Sequence, residues 1–250
     1  MRFLKASVRV FYCVLALGMC SASLAQAQTA LTSEGPLNHT FSYSIIDTSM
    51  ATDVLVVALQ HDVLPDILEP EEKLFAIWLP VEKPDNALFA ELATNQIGLM
   101  LAWPDGTVPE AAALDRVLAA RSGVTKVVTR MFEAVYLAEG LDIPTESGFY
   151  VHREEHYGLA DVDAAVRLSQ EAWVTWEPAF GMKVIGLFRE VLADADLVNL
   201  NRITWYPSYE GWLETRNNTR DPESARRFRD RQQLLIEGSG IAIAADRVLP

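Results

Sequence analysis

FYVHREEHY (149–157), VDAAVRLSQEAWVTW (162–176), MKVIGLFRE (182–190) and VNLNRITW (198–205) follow one another with short breaks. The first follows the Glu146-Ser147-Gly148 break and reads as a strand. In the second, Val162, Val166, Ser169, Trp173 and Trp176 fall at i, i+4, i+7, i+11 and i+14, one stripe of an amphipathic helix that Pro178 and Gly181 end. The third and fourth are β-rich runs around a polar turn near Asp194 and Asp196, an antiparallel hairpin. Asp221-Pro222-Glu223 then opens a helix with an N-cap, a proline at the first helical position and an acid against the dipole. Ala225, Phe228, Gln232 and Leu235 continue its face, and Ile241 to Val248 gives a last strand. The order is β-α-β-β-α-β, a ferredoxin-like unit.

The first half repeats that order less clearly. Asp53 to Gln60 reads as a strand, Pro70 to Trp78 as a short helix, and Ala87–Ala93 with Ile97–Trp103 as the hairpin. Thr107-Val-Pro-Glu110 reads as a capping box before a helix with Leu114, Val117, Leu118 and Arg121 on one face, and Gly123 lies just past its end. Val124 to Leu137 is the final strand; Phe41 to Ile46 reads as an added edge strand. Three landmarks recur in order. They are Trp78-Leu-Pro80 with Trp176-Glu-Pro178, Leu88-Phe-Ala-Glu91 with Leu187-Phe-Arg-Glu190, and Trp103-Pro104 with Trp205-Tyr-Pro207. The expectation is an α+β protein of tandem ferredoxin-like βαββαβ repeats packed as a single-chain α+β barrel. A sheet with helices on one face leaves the other face bare, and the sibling sheet is the nearest cover. The divisions are 1–27 as signal, 28–52 as an N-terminal segment, 53–140 as the first repeat, 141–147 as linker and 148–250 as the second repeat.

Phe149-Tyr-Val-His-Arg153, Trp173 and Trp176, and Lys183-Val-Ile-Gly-Leu-Phe188 together resemble a NIPSNAP domain. The stretch Arg202-Ile-Thr-Trp-Tyr-Pro-Ser-Tyr-Glu-Gly-Trp-Leu-Glu-Thr-Arg216 followed by Asp221-Pro222 is similar to that family's pattern of aromatic strand end, turn, spaced arginines and Asp-Pro helix start. The resemblance covers Gly148 to about Leu235 and reaches the first half only through the repeat. It implies the ferredoxin-like fold and a binding or interaction role, and it implies no reaction.

Arg2, Lys5 and Arg9 before the apolar run Val10–Met19, with Ala25-Gln-Ala27 as a small-x-small step, read as a cleaved secretory signal. The apolar run is shorter than the roughly 18–20 residues a bilayer needs, so no membrane association is expected after cleavage. Both cysteines, Cys13 and Cys20, fall in that segment, leaving a thiol-free domain for the periplasm or secretion. Losing the three cations takes the formal charge from −13 to −16. Such a surface repels phosphate backbones, which argues against nucleic acid as a partner.

His152-Arg-Glu-Glu-His156 matches the H-x-x-E-H metalloprotease pattern, which needs a helix. On a strand, residues four apart lie about 13 Å from one another, so no metal site is expected. His61 and His156 each read as the end of a first strand and are candidate ligand-binding residues, as are the aromatic Trp205, Tyr206 and Tyr209 with Trp212 nearby. Arg216, Arg220, Arg226, Arg227 and Arg229 form a basic run, read as a helix face paired with neighbouring acids. The expected function is non-catalytic binding of a small molecule or protein partner, with self-association as a homo-oligomer left open, and with no catalytic residue or cofactor assigned. The competing reading is a cofactor-independent oxygenase or haem-binding enzyme of the dimeric α+β barrel type, a haem then being held by histidine.

Overall fold

β1 (His39–Thr48) turns Phe41, Tyr43 and Ile45 to one side and Ser42, Ser44 and Ile46 to the other, and nearly all of these are buried. A strand covered on both faces is central, so Phe41–Ile46 belongs to the first strand of the first unit rather than to an added edge. The computed structural model describes residues 39–69, 72–81, 90–104, 108–141, 147–191, 196–217, 219–236 and 241–248. The signal read over 1–27 and the landmark Leu88-Phe89 lie outside them.

From β1 the chain passes through α1 (Thr52–Ala58), a π-helical turn (Leu59–Val63) and α2 (Leu64–Ile67) to β2 (Lys73–Pro80). β3 (Ala90–Glu91), β4 (Gln96–Pro104), α3 (Ala111–Ala119) and β5 (Val124–Leu141) complete the first unit. The second unit runs β6 (Phe149–Gly158), α4 (Val162–Phe180), β7 (Lys183–Glu190), β8 (Leu197–Tyr206), α5 (Tyr209–Glu214), α6 (Pro222–Gln232) and β9 (Ile241–Val248). All described residues fall in one unit of the chain, Leu37–Pro250.

The strands are ordered β2-β4-β1-β5-β7-β8-β6-β9, and β9 pairs back to β2. Each unit therefore places its second, third, first and fourth strands side by side, and all eight pairings around the ring are antiparallel. The seams β5–β7 and β9–β2 join the two sheets edge to edge, which leaves no open edge in the ring. The short β3 pairs with Ile243 and Ala244 on the β2 side of β9, parallel to it, and among the described residues it is not a hairpin partner of β4.

The lumen is filled by side chains from both units. Phe41, Phe75 and Phe188 meet edge to face with centroids 5.1 to 6.0 Å apart, and Met100, Phe132, Tyr150 and Ile203 pack around them. Outside, α1, α2 and α3 cover one half of the ring through Leu55, Leu59, Val63, Leu64, Leu114 and Leu118. On the other half, α4 packs Val162, Ala165, Trp173, Trp176 and Phe180, with α5 and α6 adding Trp212 and Ala225. Each large side chain so buried contributes about 1.5–3 kcal/mol.

Several sequence expectations change. Asp53–Gln60 is helical, not a strand: Leu55, Val56, Leu59 and Val63 are buried while Val54 and Val57 face solvent, a helical spacing hidden behind β-branched residues. Lys73–Pro80 is a strand, so the helix read over Pro70–Trp78 is absent from the described part of that range, and the first unit begins at β1 rather than at 53. α3 starts after Glu110, which stands at its N-cap with no side-chain cap rather than inside the helix, and Thr107 of the capping-box reading lies outside the described residues. Pro178 sits inside α4 without ending it; Gly181 does, at φ +62. An added Cβ there meets nothing within 4 Å, so Gly181→Ala tests backbone strain alone. It is expected to cost about 1 kcal/mol and lower Tm by roughly 2–4 °C; an unchanged thermal midpoint would refute the strained cap.

Registers fix which positions correspond. β2 bulges between Leu74 and Ala76 opposite Leu101 and Met100, and β7 bulges between Val184 and Gly186 opposite Thr204 and Ile203. Matching the bulges sets Trp78 against Phe188 and Trp103 against Tyr206. The Trp-x-Pro landmarks are thus not equivalent: Trp78 is on a strand and Trp176 on a helix. Trp103 and Trp205 are one residue out of step, with Trp103 under the helices and Trp205 against the lumen cluster.

Candidate functional site

The same register exposes a difference between the units. On the helix-covered face of the first sheet, Ile46, Ile97, Leu99, Leu101 and Trp103 form an apolar layer. Its buried polar groups are matched: Ser44 Oγ lies 2.7 Å from Thr129 Oγ1, and Trp103 Nε1 donates to Ser42 Oγ at 2.9 Å. The corresponding face of the second sheet carries Glu155 where the first has Ile46, Arg202 where it has Leu99, and Thr204 where it has Leu101. Arg153 stands at the position of Ser44.

These charges border a cleft of about 250 Å³ between sheet and helices, lined by Arg153 of β6, Arg202 of β8, Trp176 of α4, Thr215 and Arg216 after α5, and Phe228, Arg231 and Gln232 of α6 and its end. Alternation along β6 and β8 points Arg153 and Arg202 towards the helices. The helical spacing of Ala225, Phe228 and Arg231 brings Arg231 back onto the sheet, 6% exposed.

Glu155, 4% exposed, is the counter-charge. Arg231 donates to its Oε1 at 2.9 Å and to Ser169 Oγ at 3.1 Å, Tyr157 donates to Oε2 at 2.9 Å, and Arg153 Nη1 lies 3.7 Å away. Burial alone would raise the Glu155 carboxyl, but Arg231, Arg202, Arg153 and the Tyr157 hydroxyl hold it below the usual carboxylate range.

Arg202 is different. It is 7% exposed, its guanidinium lies 5.7 Å from the Trp176 ring centroid, and its Nε and Nη1 have no hydrogen-bond partner. Burial, and then the like charge of Arg231, push its pKa down to about 10, which still leaves it cationic at neutral pH. Arg216 stacks at 4.5 Å on Trp212 at the exposed rim, and Arg231 lies 5.3 Å from the Phe228 ring. Three cations thus act on one carboxylate, and a fourth, Arg216, stands at the rim of the same cleft, in a protein of net charge −13. Chemically such an arrangement can hold an anion between aromatic walls.

The residues singled out from sequence scatter. His61 sits in the π-helical turn, not at a strand end, and is exposed on an apolar groove of about 400 Å³ with Leu64, Pro65, Leu68 and Leu74. His156 is exposed near the end of β6, so the two histidines do not hold equivalent positions. Trp205 donates from Nε1 to Ser147 O at 3.1 Å, on the lumen side of the sheet. Tyr206 is buried on the helix side close to the arginines, and Tyr209 stacks on Trp212 with centroids 5.5 Å apart. Only Tyr206 and Tyr209 therefore come near the cleft. Of the basic run, Arg216 alone lines it; Arg220, Arg226 and Arg227 are paired with Glu214, Glu223, Asp230 and Glu171.

His152 faces the lumen instead, 1% exposed, its Nδ1 3.0 Å from Tyr43 Oη and its ring 4.4 Å from that of Trp78. Burial holds it down at about 3 against an ordinary 6.5. The unfolded chain then binds its proton more readily, so stability is full above about pH 6.5 and falls as pH drops towards 3. Between pH 7 and 5 this residue is expected to cost the fold about 2 kcal/mol. Urea titrations at both pH values should show the loss, and His152→Asn should remove most of it; an equal loss in the variant would refute the assignment.

A haem does not fit the cleft. Its lining among the described residues offers arginine, threonine, glutamine, tryptophan and phenylalanine, none a usual axial donor, while His61, His152 and His156 lie elsewhere.

No protein-family model matches the chain, and no curated protein matches it. Solved structures do. An anthrone oxidase-like protein aligns with TM-score 0.52 at 10% identity, over 85% of this chain and 92% of that one. A putative monooxygenase from Lactobacillus acidophilus NCFM aligns with TM-score 0.51 at 8% identity, over 84% and 94%. At such identities the likeness is one of fold, the ferredoxin-like dimeric α+β barrel, here formed by one chain.

Proposed function

We propose that this protein binds a small organic anion in the cleft between the sheet and helices of its second unit. The observation that carries the reading is Arg202, a buried guanidinium with unmatched Nε and Nη1 beside three further arginines. An unpaired buried charge costs a fold several kcal/mol, and groups of that kind concentrate at functional sites. The acidic surface repels anions, so a cationic pocket focuses the attraction on one place. Trp176 and Phe228 supply flat apolar walls for the rest of the ligand. The NIPSNAP-like pattern of 148–235 falls on this same unit and supports a binding role. Export through the N-terminal signal belongs to the proposal and would set the protein to work in the periplasm or outside the cell.

A second reading, a cofactor-independent oxygenase, draws support from the names of the two structural neighbours and from the aromatic walls. The polar lining speaks more for binding: among the described residues it consists of arginines with Thr215 and Gln232, and the neighbouring carboxylate, Glu155, is bonded to Arg231 and Tyr157 and held below the usual carboxylate range, which makes it a poor base.

Calorimetric titration with benzoate and phenyl phosphate at low ionic strength tests the reading. Binding of at least one probe is expected in the wild type, with loss of at least about tenfold in Arg202→Met. If neither probe binds, or if the variant binds as well, the proposal fails.

A further inference from the structure

Charge arithmetic at the cleft narrows the ligand. Arg153, Arg202, Arg216 and Arg231 line it, and Glu155 is the carboxylate bonded among them. Guanidinium groups do not give up their proton in this pH range, so all four remain charged. Arg231 is satisfied by Glu155 and Ser169. Arg216 stands at the exposed rim, stacked on Trp212, rather than on the inner wall. Two cations remain on the inner wall: Arg202, with no partner at Nε or Nη1, and Arg153, whose contact with Glu155 is long at 3.7 Å. One carboxylate from a ligand would neutralise half of that excess.

Resting on the binding reading above, we infer that the cleft selects a doubly charged head group, with the chemistry of a phosphate dianion. Such a group brings two charges and three acceptor oxygens to donors that project from adjacent strands. Arg153 and Arg202 are direct cross-strand partners between β6 and β8, so their side chains leave the sheet side by side on one face. The paired arginines are the specificity element. The first unit has Ser44 and Leu99 at the same pairing and no such site.

The source is either free phosphate or a phosphate monoester, and inorganic phosphate and phenyl phosphate separate the two. At pH 7.5, phenyl phosphate is expected to bind at least about tenfold tighter than benzoate. That preference should shrink to about threefold or less at pH 5, because the second phosphate ionisation lies near pH 6 and benzoate keeps its single charge. Arg153→Gln should weaken phenyl phosphate more than benzoate at pH 7.5 and so reduce the preference, and an unchanged preference would overturn the inference. Inorganic phosphate binding as tightly as phenyl phosphate identifies free phosphate as the ligand; tighter phenyl phosphate identifies an ester. Benzoate equal to or tighter than both phosphates at pH 7.5 overturns the inference while leaving anion binding intact, and silence from all three probes overturns the binding reading itself.

Discussion

Arg202→Met yields a ligand-free protein more stable than the wild type. Arg202 is buried against Trp176, and burial with the neighbouring Arg231 lowers its pKa to about 10. Because that folded value lies below the unfolded one, the charged form is penalised at every pH below about 10, and the penalty fades only above it. Methionine keeps the length and apolar stem of the side chain and drops the charge, and replacing buried ions by apolar residues has stabilised other folds by 1–4 kcal/mol. A gain on the order of 2 kcal/mol is expected here, seen as a rise in Tm of roughly 4–8 °C. An arginine with only a structural task would show the reverse. A fall of several degrees in Tm would therefore remove the basis for reading Arg202 as a ligand group.

Glu155→Gln is expected to move stability the other way, by about 3–5 kcal/mol. It strips Arg231 of its anionic partner and leaves four arginines with no carboxylate bonded to them. The pH dependence supplies a second signature. A carboxyl held below its ordinary range stabilises the fold above that range and loses this contribution as pH falls through its folded value. Denaturant midpoints for the wild type should therefore drop on the acid side below about pH 4, and the variant should lack that part of the drop. An added anion replaces the missing charge, so phenyl phosphate should raise the Tm of Glu155→Gln more than that of the wild type. A variant within 1 kcal/mol of wild type at pH 7 would show that the Glu155–Arg231 pair carries little.

The second unit is more legible because its signals, Pro178 apart, agree with one another. Asp221 does cap α6, accepting from Ser224 N at 3.2 Å, and the 162–176 stripe does face the core. The first unit is misleading because Val54 to Leu59 satisfies a strand pattern by residue type and a helix pattern by spacing, and only the spacing matches the fold. The topology survived that error, since β4, α3 and β5 were placed correctly and the bare faces still needed one another. The cleft left a quieter trace. Once β6 and β8 are strands, Phe149, Val151 and Tyr157 share a face with Arg153 and Glu155, and Leu200 and Tyr206 share one with Arg202. Charged residues on an otherwise apolar, helix-covered face are the signal. The denser run of arginines at 216–229 masks it, although Arg226 and Arg227 are neutralised along their own helix.

In a barrel assembled from two identical chains, every substitution is made twice, and a costly cluster of like charges must be tolerated on both sides of the axis. The seams β5–β7 and β9–β2 hold both sheets within one polypeptide. Matching positions can therefore hold residues as different as Leu99 and Arg202. One half is packed with hydrocarbon on this face, while the other is free to carry the proposed anion site.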